Sequence, residues 1–215
     1  MAIEIFDLGL IDFKSAYAFQ KSIFEDVKSG KIDSALITCS HPPVLTLGRQ
    51  IKPQNILASA DELRRNGISV EQIERGGDVT YHGPGQLIAY PLFNLALYRK
   101  DIHWFLRKLE TVIINLLAGF GIEAERRQGL TGVWVGEKKI ASIGIAIRSW
   151  ITFHGLSINI KKDDLANFRL IRPCGMDIEM TSMESVLGDD IEISAVKEVL
   201  IKSLGCVPQG AALCV

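Results

Sequence analysis

The sequence predicts an α+β fold in which a mixed β-sheet is covered by helices over one face. Strand-like segments come in meandering runs between widely separated amphipathic helices, not in the regular alternation of a doubly wound parallel sheet. With 215 residues, 47% hydrophobic and 23% charged, the chain suits one substantial core, at most with a short appendage. A single domain over residues 1–205 and a C-terminal tail over 206–215 are therefore expected.

Taken in order, Ile3 to Phe6 alternates apolar and acidic residues as a first strand does. Asp12 then precedes Phe13, Ala16, Tyr17, Ile23, Phe24 and Val27 at near-helical spacing, which predicts a helix that ends by Gly30. Ser34 to Cys39 is a short apolar run, hence a buried strand, and Val44 to Gly48 is a second strand beyond the extended His41-Pro42-Pro43. A short helix within Ser59 to Asn66, carried by Asp61 to Arg65, stops at Gly67, and strands follow over Ile68–Ile73 and Leu87–Leu92. Asp101 caps a long helix whose wide apolar face carries Trp104, Phe105, Leu109, Val112, Ile113, Leu116 and Leu117. Gly132–Gly136 and Lys139–Ile147 read as strands joined by a tight turn, and Thr152–Ile160 extends the sheet. One helical turn over Asp163–Phe168 and a closing amphipathic helix over Ser194–Leu204 complete the order.

Bulk properties narrow the function. A formal net charge of -1 argues against a nucleic-acid coat, and the pairs Arg64-Arg65 and Arg126-Arg127 read as solvated faces. The acidic N-terminal segment and the lack of a long apolar run point away from a signal peptide or a membrane span. Cys39, Cys174, Cys206 and Cys214 show no paired spacing, so reduced thiols in the cytoplasm are expected.

One stretch, Arg75-Gly76-Gly77-Asp78-Val79-Thr80-Tyr81-His82-Gly83-Pro84-Gly85-Gln86-Leu87-Ile88-Ala89-Tyr90-Pro91, concentrates glycines and polar side chains ahead of an apolar segment. Glycine permits close approach of a ligand to main chain, so this is a candidate pocket wall. It is neither a Walker loop nor G-x-G-x-x-G, since Gly83-Pro84-Gly85 lacks the third glycine and Pro84 has no N–H for a phosphate.

Cys174 stands between Pro173 and Gly175 on an irregular segment. The residues alone leave it evenly divided between a nucleophile and a small buried side chain. Cys39, within an apolar run, reads as inert packing. A thiolate needs a nearby cation or base, and His41, His82, His103, His154, Lys138 and Lys139 are the candidates, although a lone histidine is more often structural. Lys139 opens an apolar strand, where a lysine either reaches out to water or is held with a shifted proton affinity. Cys39 and His41 have no second ligand pair, so no metal is expected.

Several separated segments, in order, resemble the octanoyltransferases of lipoate biosynthesis. They are His41-Pro42-Pro43-Val44-Leu45-Thr46-Leu47-Gly48-Arg49, the Arg75–Pro91 stretch, Gly132-Val133-Trp134-Val135, Lys139-Ile140-Ala141-Ser142-Ile143-Gly144, Phe153-His154-Gly155-Leu156-Ser157-Ile158-Asn159 and Pro173-Cys174-Gly175. The resemblance implies the fold of the biotin and lipoate protein ligase catalytic domain, a mixed, largely antiparallel sheet flanked by helices. It implies an acyltransferase that moves an octanoyl group from octanoyl-acyl carrier protein to the target lysine of lipoyl domains, in 2-oxoacid dehydrogenase complexes or the glycine cleavage H protein. On that resemblance Cys174 and Lys139 are catalytic. The acyl-binding wall is Arg75, Gly76, Gly77, Asp78, Val79, Thr80, Tyr81 and His82, with Ser142, Ile143, Gly144, Gly155, Leu156 and Ser157.

Two departures accompany it: Ser157 stands where such proteins often have alanine, and Lys138 beside Lys139 leaves the register at the turn ambiguous. The implied chemistry exchanges one thioester for another through Cys174, so no cofactor and no nucleotide are expected. Backbone N–H groups near Cys174 or at Gly76-Gly77 are candidates for holding the oxyanion. Three alternatives stand beside it: an ATP-dependent lipoate or biotin ligase, a cysteine hydrolase using Cys174 with His82 or His154, and a non-catalytic carrier-binding module.

Overall fold

Ile3–Leu10 forms β1, Phe13–Lys28 forms α1 and Ser34–Ser40 forms β2 in the structure, a computed structural model that describes residues 3–173 and 178–205. Cys174 and the expected tail lie outside the described residues. Helix α1 starts where the sequence places its cap: the Asp12 carboxylate accepts the Ser15 N–H at 3.0 Å, satisfying one of the donors that a helix start leaves open. The α1 crossover lets β1 and β2 pair in parallel.

Every other pairing in the main sheet is antiparallel. Strand β2 pairs with β6 (Gln86–Phe93), β6 with β9 (Ile151–Asn159), β9 with β8 (Lys138–Arg148), and β8 with the short edge strand β7 (Val133–Val135). A separate three-stranded sheet has β3 (Val44–Leu47) at its centre, parallel to β4 (Ser69–Gln72) and antiparallel to β5 (Val79–His82). The class is thus the mixed, antiparallel-rich α+β architecture that the sequence predicts.

Helix placement differs from expectation. Ala35, Ile37 and Cys39 of β2 and Ile88, Tyr90 and Leu92 of β6 pack with Ile23, Phe24 and Val27 of α1. Their alternate neighbours Leu36, Leu87 and Ala89 pack with α3 (Ile102–Gly119) and α5 (Ile193–Gly205). Helices therefore cover both faces of the main sheet, not one. Strand β6 is accordingly buried at every position, and this is the reason β2 and β6 read as continuous apolar runs and not as alternating ones.

The long helix α3 begins at the expected cap, with the Asp101 carboxylate accepting the Trp104 N–H at 2.9 Å. Helix α2 (Ala60–Arg65) and the 3-10 segment Asp163–Leu170 close over the small sheet through Leu63, Phe168 and Leu170. A strand and a helix, besides the short 3-10 segments Pro53–Asn55 and Leu95–Leu97, lie where the sequence reading has none. Strand β5 occupies the glycine-flanked stretch that reads as loop. Helix α4 (Met183–Leu187) is five residues long, too short for a periodic signal, and is set by its Ser182 cap and the left-handed Gly188. No helix among the described residues is long and apolar enough to cross a membrane.

Candidate active site

The two sheets face each other across a cavity of about 690 Å³. The small sheet contributes Thr80 and His82 of β5 and the Arg75–Asp78 loop before it. The main sheet contributes Ser142, Ile143, Gly144, Gly155, Leu156 and Ser157. These last two segments, far apart in the chain, are directly paired: Ser142 opposes Ser157, Ile143 opposes Leu156, and Gly144 opposes Gly155. The Arg75 loop is tied to the same strand, since Gly76 N–H donates to Ile145 O at 2.9 Å. That bond occupies the Gly76 N–H, so it is not available to an oxyanion.

Of the expected wall residues, Arg75, Gly76, Gly77, Asp78, Val79, Thr80, His82, Ser142, Ile143, Gly144, Gly155, Leu156 and Ser157 line the cavity. Tyr81 does not. Period-two alternation along β5 turns it the opposite way from Thr80 and His82, into the core of the small sheet. There its hydroxyl donates to Asp164 Oδ1 at 3.3 Å, accepts from Asn167 Nδ2 at 2.8 Å, and its ring meets Phe168 edge-on. The Arg75 guanidinium donates to Thr46 O at 2.6 Å and to Thr46 Oγ1 at 3.0 Å, clamping the loop onto β3.

Lys139 lies near the start of β8 and its side chain is buried, only 6% of the residue remaining exposed, with the cavity as its outlet. Its backbone is gripped on the far side by the returning chain, donating to Glu179 O at 2.8 Å and accepting from Thr181 N–H at 2.9 Å. The ammonium lies 5.0 Å from the centroid of the Trp134 ring, an arrangement that stabilises a cation by the ring quadrupole. Gly132 makes the space: a Cβ there would lie 2.5 Å from Lys139 Cε, and its φ of 135° is one a side chain rarely adopts. Of the two lysines at the turn, Lys139 lines the cavity and Lys138 does not. Lys138 is exposed and pairs with Glu179 at 2.5 Å.

Cys174 itself is outside the described residues, but the residue before it, Pro173, lines the cavity with Lys139. Arg172, one further back, is anchored by its N–H to Asn55 O at 2.7 Å.

A continuous hydrogen-bond chain runs behind the cavity. Thr46 Oγ1, which accepts from Arg75, lies 3.4 Å from His82 Nε2; His82 Nδ1 lies 3.1 Å from Gln86 Oε1. Gln86 Nε2 donates to Asn159 Oδ1 at 2.9 Å and to Tyr81 O, and Asn159 Nδ2 donates to Thr181 O at 2.9 Å. The carbonyl acceptors Tyr81 O and Thr181 O fix which end of each amide is the nitrogen. Gln86 therefore presents oxygen to His82, so the ring carries its proton on Nδ1 and accepts from the Thr46 hydroxyl through Nε2. Burial, reinforced by the neighbouring His41 and Arg75, depresses the His82 pKa to about 3, so the ring is neutral.

The other histidines are placed differently. His41 does not line the cavity; its Nδ1–H donates to Ile11 O at 2.7 Å, its Nε2 accepts from the Tyr90 hydroxyl at 2.6 Å, and burial keeps its pKa low. His154 lines the cavity on a left-handed backbone (φ 57°), stacked on Tyr17, with Nε2 3.5 Å from Glu74 Oε2 and Nδ1 without a partner among the described residues. Burial pushes its pKa down against the pull of Glu74. His103 is exposed and lines the cavity with Ile102 and Leu106 at the start of α3. Cys39 is buried, and burial raises its thiol pKa, as inert packing requires. No group of three or more His, Cys, Asp or Glu among the described residues is arranged to hold a metal ion.

Sequence reasoning did not assign a role to Trp134, Tyr90, Phe13 or the loop Gly129-Leu130-Thr131.

The model of the lipoyl protein ligase A/B catalytic domain matches residues 12–205. An octanoyltransferase of Thermoanaerobacter sp. (strain X514) is 45% identical over 200 residues, covering 92% of this chain and 86% of that protein. Among solved structures, lipoate-protein ligase A bound with ATP superposes with a TM-score of 0.80 at 18% identity, covering 95% of this chain and 84% of the other. A bi-partite lipoate protein ligase from Thermoplasma acidophilum, solved in a study of that enzyme and its E2 lipoyl domain, gives a TM-score of 0.69 at 18% identity over 95% and 82%. At these identities the structural likeness establishes the fold.

Proposed function

Because this chain belongs to the lipoyl protein ligase A/B catalytic domain family, among its octanoyltransferases, we propose that it performs octanoyl transfer through an acyl-enzyme on Cys174, drawing on an acyl carrier protein and delivering to a lipoyl-domain lysine. The enzyme is an acyltransferase of lipoate biosynthesis, and lipoyl domains are its acceptors. The observation that carries the two-residue mechanism is the placement of buried Lys139 on the same cavity as Pro173, the residue preceding Cys174.

In the first step the Cys174 thiolate attacks the thioester carbonyl of the octanoyl carrier. A bond forms from Sγ to the carbonyl carbon, the bond from that carbon to the carrier's sulfur breaks, and the Lys139 ammonium gives the leaving thiolate its proton, which leaves Nζ neutral. The Lys139 ammonium favours the thiolate, since a nearby cation lowers a thiol's pKa. In the second step the acceptor amine attacks the Cys174 thioester, the carbon–sulfur bond breaks, and the amine proton passes to neutral Lys139 Nζ. Thioester for thioester is nearly balanced, and amide formation runs downhill, so no nucleotide enters.

The octanoyl chain has its wall in the paired segments Ser142–Gly144 and Gly155–Ser157 and in the Arg75–Val79 loop. Burying its methylenes supplies about 0.8 kcal/mol each, roughly 5 kcal/mol for the chain before ordering costs. That separates eight carbons from four, and separates eight from nine sharply only where the pocket has a hard end.

Nucleotide dependence separates this reading from the ligase alternative on the same fold. Purified protein, octanoyl-carrier thioester and apo lipoyl domain, freed of ATP with apyrase, are expected to yield octanoylated domain at an undiminished rate. Product formed only with ATP would overturn it.

A further inference from the structure

Glu110 is a carboxylate with no solvent exposure, on the buried face of α3 among Leu109, Ile113 and Leu117. An apolar side chain would fill such a place at less cost, because a buried charge must be matched by several well-placed donors. Glu110 has them. Oε1 accepts the Gly132 N–H at 3.1 Å, and Oε2 accepts from Arg107 Nη1 at 2.6 Å and from Arg126 Nε at 3.0 Å. Arg126 is fastened further to Arg107 O at 3.0 Å and to the Thr111 hydroxyl.

Gly132 and Arg126 are the two ends of one loop. Between them Gly129, Leu130 and Thr131 line the cavity, and directly after Gly132 the chain enters β7 with Trp134. One carboxylate thus fastens both ends of the loop to α3. Gly132 borders the Lys139 Cε on one side and the Trp134 ring faces the ammonium on another, so a shift of this loop moves both limits on where Nζ lies.

We propose that Glu110 is a positioning residue for Lys139, holding the Arg126–Gly132 loop so that the lysine side chain has a single path to the cavity. This rests on the reading of Lys139 as the group that stabilises the Cys174 thiolate.

The test follows the pH dependence of iodoacetamide alkylation at Cys174, mapped by peptide mass spectrometry, beside steady-state kinetics. Lys139→Ala sets the scale, raising the alkylation midpoint by about one pH unit. Folded Glu110→Ala is expected to raise it by at least half as much and to lower kcat about ten- to hundredfold, the cost typical of a misplaced catalytic group, with KM for the octanoyl carrier changed less than about twofold. Glu110→Gln keeps an acceptor for Gly132 but turns an amide N–H toward Arg107 and Arg126, and is expected to fall between Glu110→Ala and the parent in both.

Arg126→Ala, at a partly exposed side chain, covers the case in which Glu110→Ala does not fold. It is expected to shift the midpoint in the same direction by less. A parental alkylation profile in folded Glu110→Ala or, failing that protein, in Arg126→Ala overturns the proposal while the Lys139 response leaves the mechanism standing. An unchanged profile in Lys139→Ala removes both.

Discussion

Replacing Lys139 by alanine removes the ammonium beside the Trp134 ring and is expected to lower kcat for octanoyl transfer by about a hundredfold or more, as loss of a positioned proton-handling group does. Stopped-flow or quenched assays on the folded variant check this; a loss below fivefold would mean another group moves the proton. His82 makes the opposite prediction. Its Nδ1–H tautomer, set by Gln86, and a pKa depressed to about 3 mean that its imidazole signals in nitrogen-detected NMR stay those of a neutral ring at pH 5. An unfolded histidine titrates near 6.5, so below that pH the unfolded chain takes up protons that His82, and likewise the low-pKa His41 and His154, refuse when folded. Stability is therefore full above about pH 6.5 and declines as the pH falls toward about 3. Glu74 has the same sign in a lower window. The approach of His154 and a hydrogen bond from the Tyr17 hydroxyl lower its pKa to about 2, so its contribution is present above about 4.5 and fades below it. Urea midpoints measured from pH 8 to 5 should thus begin to drop near 6.5, through the histidines; a flat profile would contradict the neutral, buried rings.

At the scale of elements, the pairing of β8 with β9 and the approach of β9 to β6 shape the cavity wall. A Cβ on Gly155 would lie 2.0 Å from Ala89 O, a backbone atom that yields only if the two strands separate. Gly155→Ala is accordingly expected to destabilise the fold by about 2–3 kcal/mol, at the upper end of overpacking effects, and to weaken acyl binding with it. A urea titration within about 0.5 kcal/mol of the parent would show that the strands have slack. Elements with strong local signals were legible in the sequence. Asp12 and Asp101 mark the starts of α1 and α3 because a capping carboxylate is a local device. Strand β5 was hidden because four residues between glycines carry little pattern, and without that strand the inward and outward alternation that sends Tyr81 away from the cavity could not be read. The two-sided helix cover was present in the unbroken apolar runs of β2 and β6, which a one-faced sheet does not need.

For the whole molecule, the cavity is built from segments that only tertiary structure unites: the Arg75 loop, the paired stretches of β8 and β9, and the chain that brings Pro173 to the cavity that Lys139 lines. Motif resemblance identified these segments, since each carries distinctive glycines or a Pro-Cys-Gly triplet. The buried Glu110, the Trp134 platform and the space at Gly132 were not legible, because a glutamate, a tryptophan and a glycine gain those roles only by meeting across α3, β7 and β8. The central claim is that the octanoyl group rests on Cys174 between donor and acceptor. Incubation with octanoyl carrier followed by intact and peptide mass spectrometry tests it most directly. The account predicts an octanoyl adduct on Cys174 that is absent from Cys174→Ser and disappears onto apo lipoyl domain when that is added; an adduct on another residue, or transfer by Cys174→Ser at the parental rate, would contradict it.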